Sequence, residues 1–146
     1  MLTMKAKYAL RALCTLATQP TRLQSARSLS AEARVPEKFL ESILVELRNA
    51  GFVQSRRGLQ GGHSLARPAV DIMLGDVIRA IDGPIAPLRC ASITAYKACD
   101  DCPDPDQCAL RELMGDVRLA MSGVLDQRSL QSLTERDLSW RAGTDA

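Results

Sequence analysis

Four of the five cysteines lie within nineteen residues, at Cys90, Cys99, Cys102 and Cys108, with eight, two and five residues between successive members. Thiolates are soft ligands, and several on one short segment suit zinc or an iron–sulfur cluster. Cys99-x-x-Cys102 is a common zinc half-site, and four sulfurs complete a tetrahedron. The same density also suits a thiol–disulfide switch. A thioredoxin-like enzyme is disfavoured, because that chemistry places its CxxC at the start of a helix in a βαβ unit and no strands flank this one. The remaining thiol, Cys14, falls on an apolar helix and reads as a small buried hydrophobe.

The charge distribution says what the rest of the chain is for. Residues 1–63 carry ten Lys/Arg and four Glu, a net of +6, whereas residues 64–146 carry nine Lys/Arg and thirteen Asp/Glu, a net of −4; the two sum to the overall +2. A basic N-terminal half calls for a polyanion. Aromatic residues make up only 3 %, so the core is built from aliphatic side chains. No run of apolar residues reaches the length of a bilayer span, so no membrane partner is expected. The opening MLTMKAKYALRAL is broken by Lys5, Lys7 and Arg11, unlike a secretory signal. The expected location is cytoplasmic, where structural disulfides are rare.

The elements that must position these groups follow from periodicity. Tyr8, Ala9, Ala12, Leu13, Leu16 and Ala17 recur at helical steps from Met4 to about Gln19, before Pro20. Ser25 or Ser28 caps a short helix over 26–33. Val35-Pro36 makes a turn, and a second helix runs to Ala50 with Phe39 or Leu40, Ile43, Leu44 and Leu47 inward and Gly51 as its stop. Two helices about a tight turn form a helix-turn-helix. Two strands over 52–56 and 63–66, joined by the glycine-rich turn 57–62, add a wing. A short helix from about Leu74 to Ile81 ends near Gly83. Pro84 and Pro87 lead into the cysteine segment.

After the segment, with Asp104 or Asp106 as cap, Leu110, Leu113 or Met114, Val117, Ala120 or Met121, Val124 and Leu125 form a stripe on one long helix. Cys108 falls in its first turn, where the dipole favours a thiolate, while Asp100, Asp101, Asp104 and Asp106 oppose it. That stripe needs a partner, and a second copy of the helix supplies one. The expected fold is mainly α with a small β-hairpin wing: a winged helix-turn-helix domain over 1–83, a cysteine-rich loop over 84–108, a dimerisation helix over 109–134 and a flexible tail over 135–146.

On this reading Lys38, Glu41 and Ser42 face base edges of duplex DNA in the major groove, or the phosphates beside them. Lys5, Lys7, Tyr8, Ser28 and Arg48 face phosphates. Arg57, with Arg56 and Gln60, reaches the minor groove. The reading competes with a redox or metal-handling protein in which the hairpin is only structural.

The segments LTMKAKYALRAL, VPEKFLESILVELRNAGFV, RRGLQGGHSLARP and DIMLGDVIRAIDG, followed by a cysteine loop and a helix, resemble the Rrf-two family of bacterial regulators over nearly the whole chain. The resemblance implies a homodimer on a near-palindromic operator. It also implies a cluster, of the 2Fe-2S or 4Fe-4S type, held by three cysteines before the long helix, and regulation, as a repressor, by iron, redox state or nitric oxide. Cys102 and Cys108 match the last two of those cysteines and Cys90 the first, at a wider spacing, so Cys99 is extra. Cluster-binding relatives recruit a histidine just after the third cysteine or an acidic residue early in the first helix. Here Arg111, Lys7 and Tyr8 stand in those places, and the single histidine, His63, lies in the wing. All four loop cysteines are therefore the economical ligand set, with zinc or a cluster-free thiol switch as the alternatives.

Overall fold

The computed structural model describes residues 2–136. Helix α1 (Met4–Thr18) is capped by Thr3, whose Oγ1 accepts the N–H of Ala6 at 3.1 Å. Thr3 also donates its own N–H to Asp82 Oδ2 at 3.1 Å, tying the chain start to the end of α4 (Leu74–Asp82). The small side chains of Ala6, Ala9 and Ala12 are buried along α1, so other helices approach its backbone closely.

Ser25 caps α2 (Ala26–Ala33), accepting from the N–H of Ser28 at 3.1 Å. The turn into α3 (Glu37–Asn49) bends at Arg34, which adopts a left-handed φ of 52°. Of the two candidates for the inner face of α3, Leu40 is completely buried whereas Phe39 is 52 % exposed. Ile43, Leu44 and Leu47 complete that face.

Strands β1 (Val53–Arg56) and β2 (Gly62–Leu65) pair antiparallel, from Val53 opposite Leu65 to Arg56 opposite Gly62. A Cβ at Gly61 would lie 2.0 Å from the carbonyl oxygen of Arg56, so the tip closes only around glycine. The hairpin is anchored near its tip by Gln24, whose backbone exchanges hydrogen bonds of 2.9 and 2.7 Å with His63, the residue after Gly62. The order α1-α2-α3-β1-β2 is that of a winged helix. Helix α4 adds Leu74, Val77 and Ile78 to its buried side.

Two sequence expectations are corrected beyond α4. The long helix α5 (Ala109–Leu125) is capped not by Asp104 or Asp106 but by Cys108, whose Sγ accepts the N–H of Arg111 at 3.4 Å. Asp104 instead caps the 3₁₀ turn Pro105–Gln107. Nor does one helix run over 109–134. It stops at Leu125, and α6 (Leu130–Thr134) folds back on the winged domain with Leu130 completely buried. The reason is tertiary: Leu74 N–H donates to Arg128 O (2.9 Å), Leu130 N–H donates to Ile72 O (2.7 Å), and Arg79 grips Asp126 through two hydrogen bonds of 2.7 and 2.8 Å. Most of the expected flexible tail, 137–146, lies outside the described residues. Among the described residues no helix is long and apolar enough to cross a membrane.

Candidate DNA-binding surface and cysteine loop

Helix α3 presents Lys38, Glu41, Ser42 and Arg48 to solvent, opposite its buried leucines. The wing exposes Arg56, Arg57 and Gln60 around its glycines. Lys7 is exposed on α1, and Tyr8 and Ser28 are half-buried. Lys5 is the exception among the expected phosphate contacts, because its ammonium already pairs with Glu46 of α3. Arg48 shares a shallow cavity of about 220 Å³ with Glu41, Ser55 and His63. His63 Nδ1 is 2.7 Å from Ser55 Oγ, and burial, then the nearby Arg48 charge, hold its pKa below the ordinary imidazole value. It therefore stays neutral at physiological pH and belongs to the wing rather than to the cysteine loop.

The four loop cysteines occupy graded environments: Cys90 is buried, Cys102 and Cys108 are half-buried, and Cys99 is exposed. They influence one another chiefly in twos. Cys90, as hydrogen-bond partner and then as charge, pushes the Cys99 pKa up, with smaller contributions from burial, Asp101 and Cys102. Partial desolvation, then the charge of Cys108, raises that of Cys102, whose thiol also hydrogen-bonds Cys108. Cys90 and Cys108 line one cavity of about 310 Å³ at the start of α5.

Arg111 organises this end of the molecule, a role that the sequence marks only by its place three residues after Cys108. Its Nε donates to Cys90 O at 2.9 Å, and its Nη1 donates to Pro105 O at 3.3 Å and Asp106 Oδ1 at 3.2 Å. The guanidinium also lies 5.5 Å from the centre of the Tyr96 ring. One side chain thus clips both ends of the cysteine loop onto α5.

Among the described residues no three His, Cys, Asp or Glu side chains converge as a metal-holding group. The donor chemistry, four thiols on one segment, fits a thiolate-held metal or cluster. The exposed span 93–101, which carries Cys99, is held by few hydrogen bonds: Ala95 N–H to Ser92 Oγ (3.0 Å), Lys97 N–H to Arg89 O (3.3 Å) and Cys102 N–H to Cys99 O (3.4 Å).

The family model Rrf2, described as an iron-dependent transcriptional regulator, matches residues 2–136. The chain belongs to the Rrf2 family. An rrf2-like HTH-type transcriptional regulator of Rhodobacter capsulatus is 41 % identical over 138 residues, covering 91 % of each chain. The structure of CymR, the global cysteine regulator of B. subtilis, superposes with a TM-score of 0.76 at 32 % identity, covering 94 % of this chain and 98 % of CymR. IscR of T. potens superposes with a TM-score of 0.71 at 26 % identity, covering 92 % and 86 %. This Rrf2 protein is thus a winged-helix, DNA-binding transcriptional regulator and not an enzyme.

Proposed function

We propose that this Rrf2 protein acts as a homodimer, gripping a near-palindromic operator with two winged helices, and that the state of Cys90, Cys99, Cys102 and Cys108 sets how tightly it grips. One observation carries the reading: the thiol segment bridges the end of α4 and the start of α5, with Arg111 fastening it to both Cys90 and Asp106. Whatever the sulfurs hold therefore acts on the joint between the DNA-binding domain and the helix that meets the partner. On α5, Leu110, Leu113, Val117, Met121 and Val124 are exposed and recur at three- and four-residue steps, the spacing of a helix–helix seam. When bound, an iron–sulfur cluster on the four cysteines supplies a cross-link sensitive to iron supply, oxidation and nitric oxide. The chain's own part is to aim Arg57 and the first turn of α3 at one half-site and to hold the second domain one helical turn of DNA away. Repression follows where the operator overlaps a promoter.

Protein purified without air, scanned by absorption and then bound to its own promoter fragment before and after exposure to air, tests this reading. The expected result is a visible thiolate-to-iron absorption that bleaches together with a change in operator affinity. A colourless protein holding one zinc ion per chain would replace the cluster by zinc. Arg57→Ala should lower operator affinity on the order of tenfold. Removing Lys7 should flatten the dependence of affinity on salt by about one counterion.

The pairing of Cys90 with Cys99 and of Cys102 with Cys108 favours one second reading, a cluster-free dithiol switch. A peroxide converts one thiolate to a sulfenic acid. The neighbouring thiol then displaces water to form the disulfide, so two thiols lose two electrons and peroxide becomes two waters. Peptide mapping that finds those two pairs after peroxide treatment supports the switch, and mapping that finds none removes it.

A further inference from the structure

The chain has only two phenylalanines and two tyrosines, and one of each meets at the surface. Phe39, the third residue of α3, turns its ring away from the leucine face of its own helix and stacks on Tyr8 of α1, with ring centroids 6.4 Å apart and an interplanar angle of 27°. Together with Met4, Ser42, Ile43 and the stem of Lys5 they line an open cleft of about 410 Å³. The core does not need this ring, because Leu40, Ile43, Leu44 and Leu47 already supply the buried side of α3. A half-exposed phenyl group in that position leaves apolar surface in water. It stands in the first turn of the helix that a helix-turn-helix lays into the major groove, between Lys38 and Ser42.

Building on the DNA-binding reading above, we propose that Phe39, held by Tyr8, is a specificity-determining residue that packs against the C5-methyl group of a thymine in each operator half-site. The major-groove edge of thymine is the one unmodified base edge that offers a methyl group, and an aromatic ring is among the side chains that read it. Tyr8 fixes the ring from behind. The side chain is thereby ordered before DNA arrives, which reduces the entropy lost on contact. Tyr8 is on this account a positioning residue for Phe39 rather than the phosphate contact that the sequence pattern alone assigns to it.

The test uses the full chain in the thiol state that binds DNA. Duplexes are selected from a random library, and the selected operator is remade with uracil replacing thymine at each position in turn, which removes one methyl group and nothing else. Wild-type protein should bind roughly four-fold more weakly to uracil at one pair of symmetry-related positions, the effect of one buried methyl. Phe39→Ala should bind the parent operator on the order of ten- to a hundredfold more weakly and lose the distinction between thymine and uracil. Phe39→Leu, which keeps an apolar end, should retain part of it. Phe39 is half exposed, so both variants should melt close to the wild type. Equal wild-type affinity for thymine and uracil everywhere, or a Phe39→Ala protein that still distinguishes them, overturns the assignment while leaving DNA binding intact. Enrichment of no duplex by the wild type overturns the DNA-binding reading itself, and this inference with it.

Discussion

Cys14 and Cys99 carry the same thiol in opposite surroundings. Cys14 sits inside α1 with 1 % of its surface exposed, and burial pushes its pKa up to about 12. It is packing material: almost no thiolate exists at neutral pH, and no reagent reaches it. Cys99 stands exposed on a loop with few backbone hydrogen bonds, beside a second thiol. The contrast runs through the molecule. The winged domain is a filled aliphatic core with little freedom, whereas the cysteine segment has sulfur chemistry, carboxylates and a single arginine clip in place of a core. A closely packed domain and a loosely held thiol segment meet at α4 and α5.

Substitutions in the two regions can break or sharpen this contrast. Leu47 is completely buried on α3, so Leu47→Ala should cost about 2–5 kcal/mol in denaturant unfolding, by lost burial plus the cavity left behind. If it costs under 1 kcal/mol, the domain is less tightly packed than described. Next, Cys14→Ser places a hydroxyl among apolar neighbours and should cost about 1–3 kcal/mol.

The corner between α4 and α5 should respond less. Asp126→Asn removes a bidentate but surface ion pair with Arg79, and should cost about 0.3–1 kcal/mol. The Arg79 hydrogen bonds hold the Asp126 pKa below the ordinary carboxylate value. Its contribution is therefore complete above the unfolded carboxylate pKa and disappears as pH falls through the lower folded value. Wild type and Asp126→Asn should converge in stability at strongly acidic pH, and a gap that widens there would refute this sign.

Smallest in stability is Cys99→Ser, expected to unfold together with the wild type because the side chain is exposed, while abolishing whatever the loop sulfurs do together. Alkylation of the metal-free, reduced chain provides a direct comparison. Cys99, Cys102 and Cys108 should label quickly, the buried Cys90 more slowly, and Cys14 only after unfolding, as read by intact mass and peptide mapping. Rapid labelling of Cys14 in folded protein would erase the distinction.

Much of the fold was legible in residue order. Helices α1 to α4 and the hairpin lie within about two residues of where periodicity, Ser25, Pro36, Gly51 and Gly83 place them, because those signals are local. That Lys38, Glu41, Ser42 and Arg48 lie on the exposed side of α3 was legible for the same reason: helical spacing separates them from Leu40, Ile43, Leu44 and Leu47. Three features were not. The end of α5 at Leu125 depends on contacts with Ile72, Leu74 and Arg79, some fifty residues earlier in the chain. Phe39 and Leu40 are neighbours in sequence, and only packing against α1 decides which faces inward. The tasks of Arg111 and Cys108 at the start of α5 required knowing where Cys90 and Pro105 lie in space.

By itself the amino-acid order determined a basic helix-turn-helix with a glycine-built wing, a dense thiol segment and an apolar helix after it, since each rests on spacing, caps and charge within one stretch of chain. Tertiary structure alone decided that α6 returns to the core, that Arg111 clips the thiol segment to α5, that the sulfurs approach in twos, and that an aromatic pair is left facing outward. Those outcomes depend on groups far apart in sequence competing for the same space and the same hydrogen-bond partners, which no local pattern records.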